Sequence, residues 1–160
     1  LLVCLDYVSR GCFLFQRQSF YTDNILNDID QIRKDRENFE QKIGVITFYS
    51  AQDRELKKLR HKYSKLDIRT GTVDRFQGME RDIIIISMVR NNSRGDLGFT
   101  KRAERINVGL SRARSLLIMV GSTKFFCDVN RDGKSRKIFT NVAKEIDKTG
   151  GMIDVSSIYY

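Results

Sequence analysis

Residues 72–87 read TVDRFQGMERDIIIIS. The run Ile83–Ile86 is four consecutive β-branched residues with no polar interruption. A strand with one wet face alternates apolar and polar residues. A strand apolar throughout belongs inside a parallel sheet that is covered on both faces. Asp82–Val89 is therefore expected as a central strand. Outward from it, Ile43–Phe48 (IGVITF) and Ser115–Val120 (SLLIMV) have the same texture, and Leu1–Tyr7 and Ile68–Val73 read as shorter strands. Helical spacing lies between them. Thr22 or Asp23 can cap a helix reaching about Asn38, with Ile25, Leu26, Ile29, Ile32 and Phe39 as its apolar positions. Ser50 can cap a basic helix over Ala51–Tyr63 with the stripe Leu56, Leu59 and Tyr63. Ala103–Arg114, Thr123–Val129 and Lys137–Thr149 are further helices. Arg10–Phe20 reads as irregular, Asp74–Gly78 as a turn or single helical turn, Asn91–Gly98 as a polar loop, and Met152–Val155 as a last strand or tail.

Alternation of buried strands with helices is the signature of a three-layer α/β domain, because parallel strands need crossovers that cover both faces of the sheet. In such folds ligands gather where strands end at their carboxyl side. That points to the segments after Phe48, Val73, Val89 and Val120.

The chain has 160 residues and no proline, a length that suits one domain. Its 41% apolar content against 31% charged supports a packed core and argues against global disorder. No apolar run reaches the roughly 18 residues of a membrane span, so no membrane partner is expected. Cys4, Cys12 and Cys127 are odd in number and far apart, and His61 is the single histidine, so neither a disulfide framework nor a metal site is expected. A reducing intracellular setting, cytoplasmic or nuclear, fits this pattern. The net charge of +9 favours a polyanionic partner such as nucleic acid or nucleotide. The chain opens at Leu1 directly in an apolar run, as a fragment of a longer protein would.

Gly133-Lys134-Ser135 ends like a phosphate-binding loop, but the motif needs a glycine five residues before Gly133, and Asp128 stands there. It reads as a solvated loop. A nucleotide kinase built on it is a competing reading that a Lys134→Ala change would expose. Three other segments carry more. In IGVITFYSAQ (residues 43–52) a strand turns into a helix, with Thr47, Tyr49 and Gln52 at the turn, where a hydroxyl and helix amides can hold phosphate and an aromatic can stack a base. In residues 72–87, Asp74, Gln77 and Glu80 crowd around Gly78, more polar groups than a turn requires. In LGFTKRAERINVGLSRARSLLIMVGS (residues 97–122), Arg105 and Arg112 lie two helical turns apart and are expected on one helix face. Arg114 follows closely, and the guanidinium fork suits phosphate.

Together these segments resemble superfamily 1 helicases, specifically the second, carboxyl-terminal RecA-like domain of the branch containing RNA-surveillance and DNA-replication helicases. ITFYSAQ resembles the family's I-T-P-Y-x-x-Q. TVDRFQGMERDIIIIS resembles its T-V-D-x-F-Q-G-x-E-x-D-x-I-I-x-S. ERINVGLSRAR resembles its R-x-N-V-A-L-T-R-A-R core. Phe48 stands where the family has Pro, Gly109 where it has Ala, and Ser111 where it has Thr. The resemblance implies a RecA-like, P-loop NTPase-like domain over residues 1–160 that lacks its own P-loop. Residues 43–121 carry the motifs, and residues 122–160 form carboxyl-terminal helices and a last strand or tail.

It also implies roles. Arg112 would be the arginine finger on the γ-phosphate, a group worth roughly 10³–10⁵ in rate. Gly78 and Glu80 would contact ATP, Glu80 at the ribose. Gln77 would couple nucleotide state to nucleic acid. Thr47, Tyr49 and Thr72 would touch single-stranded DNA or RNA, and Arg105 and Arg114 would be structural or face the nucleic acid. ATP and Mg²⁺ would be held mainly by a first RecA-like domain, so this chain alone is expected to be inactive. A non-catalytic nucleic-acid binding or interaction module derived from a helicase is the alternative.

Overall fold

The computed structural model describes residues 2–6, 14–36 and 38–154. Six strands form one sheet: β1 (Leu2–Asp6), β2 (Lys42–Thr47), β3 (Asp67–Thr72), β4 (Arg81–Ser87), β5 (Ala113–Gly121) and β6 (Met152–Asp154). Their order is β3-β2-β4-β5-β1-β6, and every pairing is parallel. Four α-helices accompany them: α1 (Leu14–Lys34), α2 (Ser50–Lys62), α3 (Ala103–Leu110) and α4 (Gly133–Lys148). Short 3₁₀ turns occupy Val73–Phe76 and Gly98–Lys101, and a π-helical segment occupies Lys124–Val129.

The isoleucine run explains the layering. Ile84 and Ile86 enter a core with Phe76, Ile106, Phe125 and Phe139. Ile83 and Ile85 enter a second core with Leu26, Ile29, Leu56 and Tyr63. Successive strand residues point to opposite faces, so these are the two sides of one sheet. Helices α1 and α2 cover one side, and α3 and α4 cover the other. The direction of winding accounts for this. From β1 to β3 the chain moves toward one edge, and from β3 to β6 it moves back. Right-handed crossovers then place the two sets of connections on opposite faces. The result is a three-layer, parallel α/β domain of the RecA-like type with no P-loop motif. No helix among the described residues is long and apolar enough to cross a membrane.

Several boundaries differ from the sequence reading. Helix α1 begins at Leu14, inside the segment expected to be irregular, and ends at Lys34. Thr22 is an interior residue whose Oγ1 donates to the carbonyl of Gln18 at 2.8 Å, so its hydroxyl is satisfied one turn back and caps nothing. Ile32 is 46% exposed, and Phe39 lies beyond the helix, packed on the second core. Tyr49 takes the cap position of α2 without a side-chain bond, and Ser50 is already helical. Helix α3 stops at Leu110, four residues before the expected end, because β5 starts at Ala113 to pair with Arg81. Helix α4 begins at Gly133 rather than Lys137. Cys12, Arg10–Phe13, Leu1, Tyr7 and Val155 lie outside the described residues.

Candidate functional site

The 3₁₀ turn Val73–Phe76 fixes the first group of candidate side chains. Phe76 is fully buried. Its ring sits where a Cβ on Gly44 of β2 would come within 2.8 Å of it and one on Gly71 of β3 within 3.1 Å. Two glycines in neighbouring strands thus open the seat that Phe76 fills. The chain then crosses to the start of β4 through Gln77, Gly78, Met79 and Glu80. Gly78 has φ +77°, the left-handed region that glycine enters without a Cβ penalty. Nothing lies within 4 Å of where its Cβ would be, so this turn faces open space.

Arg112 arrives at the same place from α3. The Arg81 amide donates to the Arg112 carbonyl at 3.0 Å, which joins the entrances of β4 and β5. The Arg112 guanidinium is half-buried. Its Nε donates to the carbonyl of Val108 at 3.0 Å and its Nη2 to Ser111 Oγ at 2.8 Å. Both partners are neutral, so no carboxylate offsets the guanidinium charge at these bonds. Arg112 forms no ion pair among the described residues. Next to it, Arg114 Nε lies 3.1 Å from Glu80 Oε2. Both side chains are more than half exposed, so this pair stabilises little.

Two expectations need correction here. Arg105 and Arg112 do not share a helix face, because α3 ends between them. Arg105 turns to Asp74, with Nη2 at 2.9 Å from Oδ2. Gln77, Gly78, Glu80 and Arg112 also sit at the amino-terminal edge of the sheet, opposite the carboxyl ends that the general rule for α/β folds singles out.

Thr47, Tyr49 and Thr72 are at the carboxyl edge. Thr47 and Thr72 pair in register at the ends of β2 and β3, and Thr47 pairs with Ser87 on its other side. Thr47 is fully buried, and its Oγ1 accepts the Tyr49 amide at 3.4 Å. The structure therefore presents Thr72 and Tyr49 at the surface and tucks Thr47 beneath them. Between the two edges runs an open groove of about 410 Å³, lined by Val73, Asp74, Gln77, Arg102, Arg105 and Val108 among others. Gln77 lies in it, and the backbone of Val108 connects it to Arg112.

Gln52, expected with Thr47 and Tyr49 at a ligand-facing turn, is instead buried in a side-chain network, and that network and an exposed aromatic are the two features at the carboxyl edge that the sequence did not disclose. Gln18, Gln52 and Ser87 are all fully buried. Ser87 Oγ donates to Gln18 Oε1 at 3.2 Å and accepts from Gln52 Nε2 at 3.4 Å, which ties α1 and α2 to the end of β4. The second feature is Phe99, 60% exposed, with its ring 5.7 Å from that of Tyr49. An aromatic placed between Gly98 and the basic pair Lys101-Arg102, outside any apolar periodicity, was the available signal.

Gly133-Lys134-Ser135 is the first turn of α4 and not a solvated loop. Asp132 accepts from the Ser135 amide at 2.9 Å and from the Ser135 hydroxyl. These two bonds, the hydroxyl first, hold the Asp132 carboxyl below the usual carboxylate range. No strand feeds this turn, and its serine is committed to a carboxylate, which leaves no phosphate cradle. Among the described residues no group of three or more His, Cys, Asp or Glu side chains could hold a metal ion. The residues at the amino edge fit one wall of a nucleotide site: a rigid guanidinium, a carboxylate and a left-handed glycine on an open surface. They do not enclose a nucleotide by themselves.

Residues 19–124 match a family model described as AAA domain. The chain is 50% identical over 84 residues to DNA polymerase alpha-associated DNA helicase A of Saccharomyces cerevisiae, covering 52% of the chain and 12% of that protein. It is 36% identical over 144 residues to Helicase sen1 of Schizosaccharomyces pombe, covering 84% of the chain and 8% of that protein. It is 49% identical over 83 residues to the DNA replication ATP-dependent helicase/nuclease DNA2 of Saccharomyces cerevisiae, covering 50% of the chain and 5% of that protein. The chain thus spans only a small part of the length of these relatives. With well over half of its residues inside the family model, the chain belongs to the AAA domain family as a RecA-like domain related to helicases.

Proposed function

We propose that this chain is the second RecA-like domain of a superfamily 1 helicase motor, of the branch that includes RNA-surveillance and DNA-replication helicases. In this reading it supplies one wall of an ATP site whose P-loop and Mg²⁺ ligands belong to a first RecA-like domain. The observation that carries the reading is Arg112. Its guanidinium is anchored only by neutral groups, unpaired with any described carboxylate, at an open edge beside Gly78 and Glu80.

ATP with Mg²⁺ supplies the free energy of phosphoanhydride hydrolysis when bound between the two domains. Arg112 neutralises charge that develops on the terminal phosphoryl group, a stabilisation specific to the transition state. Its anchors on Val108 and Ser111 hold the fork in place beforehand, so little reorganisation is needed. Gly78 lets the backbone approach the nucleotide, and Glu80 exchanges Arg114 for a ribose hydroxyl. Gln77, in the groove with Arg105 and Asp74, couples this edge to the carboxyl edge. There Thr72 and Tyr49 contact single-stranded DNA or RNA, and Thr47 supports the Tyr49 turn.

An Arg112→Ala change in the longer protein tests this. ATP turnover is expected to fall roughly 10³- to 10⁵-fold, with single-strand binding retained. A parent protein with no ATP turnover before the change would instead support a non-catalytic binding module.

A further inference from the structure

Phe99 belongs to neither hydrophobic core, and more than half of its surface is open. An isolated surface aromatic needs no explanation, but this one is built into a scaffold. Its ring meets the Tyr49 ring edge-on at 5.7 Å and 64°. Tyr49 is fixed in turn: its hydroxyl donates to the Leu97 carbonyl at 3.0 Å and accepts from Arg90 Nε at 2.7 Å. The Arg90 guanidinium also lies 5.3 Å from the Tyr49 ring centre. On the other side the Arg105 guanidinium lies 5.8 Å from the Phe99 ring centre and is itself held by Asp74.

Gly98 shows how closely the parts approach. It has φ +53°, and a Cβ there would lie 2.7 Å from the Tyr49 hydroxyl and collide with Arg90. The left-handed backbone favours glycine here, and a side chain would also push the Arg90 and Tyr49 tips aside. Contacts with Tyr49 and Arg105 favour one orientation of the ring, which lowers the ordering cost for a ligand that stacks on it.

We propose that Phe99 is a base-stacking platform for single-stranded nucleic acid, with Tyr49, Arg90 and Arg105 as its positioning residues. This rests on the nucleic-acid reading above and extends it to a residue and a mode of contact. A nucleobase offers a flat π face of the right size. Arg90, Lys101 and Arg105 are already paired with Asp96, Asp132 and Asp74, and Arg102 stands close in sequence to Glu104, so charge is balanced here and the ring itself carries the proposal. Contact through the π face alone tolerates any base and excludes a paired duplex, whose faces are already stacked.

The test uses the 160-residue chain, a fluorescent twelve-nucleotide (dA) strand and an abasic strand of the same length. Phe99→Ala is expected to weaken the base-bearing strand about tenfold or more and to leave the abasic strand unchanged, with Phe99→Trp restoring affinity. A 2-aminopurine in the strand should be quenched by the native chain and not by Phe99→Ala. Equal loss on both strands, or no loss on either, overturns the platform and leaves Phe99 as a contact for a protein neighbour. If the unaltered chain binds neither strand, the nucleic-acid reading falls with it. If it binds the base-bearing strand and Phe99→Ala does not matter, only the platform falls.

Discussion

Gly78 and Gly44 show two different reasons for a residue to have no side chain. At Gly78 the space is empty and the constraint is the backbone, φ +77°. Gly78→Ala should therefore cost about 1–2 kcal/mol through the left-handed conformation alone. Denaturant unfolding measures this directly. At Gly44 the backbone is ordinary and the space is full. A Cβ would lie 2.5 Å from Ile84 Cδ1 and 2.8 Å from the Phe76 ring. Gly44→Ala should cost about 1–3 kcal/mol by overpacking. It should also displace Phe76, so amide chemical shifts should move at Gln77–Glu80, which follow Phe76, although Gly44 lies in a different strand. Loss of stability without those shifts would mean that Phe76 does not position the turn.

Element boundaries follow a competition between local propensity and pairing. Strands β2, β4 and β5 were legible because a continuous apolar run has one cheap fate in an α/β protein. The end of α3 was not. ERINVGLSRAR can continue as helix, and only the pairing of Arg81 with Ala113 pulls the chain out of it after Leu110. That pairing also placed Arg112 on a turn rather than a helix face. The motif singles out Arg112 as a candidate, and its place on a turn required the sheet. Phe99 carried a weak signal, an aromatic beside Gly98 outside any apolar periodicity, but its contacts with Tyr49 and Arg105 exist only in the folded chain.

Helix α4 offers a test at this scale. Its Asp132 cap has a depressed carboxyl pKa in the folded chain. A depressed carboxylate stabilises above its unfolded value, about 3.8, and the contribution is lost as pH falls through the lower folded value. Asp132→Ala should cost about 1 kcal/mol near neutral pH, and the gap from the unaltered chain should close below about pH 4. Paired unfolding curves across that range check the sign.

At the scale of the whole molecule, the parallel sheet acts as a spacer between two chemistries. The loops that enter β4 and β5 bring Glu80 and Arg112 together at one edge. The loops that leave β2 and β4 bring Tyr49, Arg90 and Phe99 together at the other. The 3₁₀ turn Val73–Phe76 and α3 run between them, joined by the Arg105–Asp74 ion pair at 2.9 Å. These two short elements, packed on one sheet, form the continuous path between the edges that the proposed motor would use.

The most direct measurement is the affinity of the longer protein for ADP alone and for ADP with aluminium fluoride, which mimics the phosphoryl group in flight. If Arg112 acts on the transition state, Arg112→Ala should leave ADP affinity nearly unchanged and weaken the analogue by roughly 10³-fold or more. Equal weakening of both ligands, or of neither, would contradict the role assigned to Arg112.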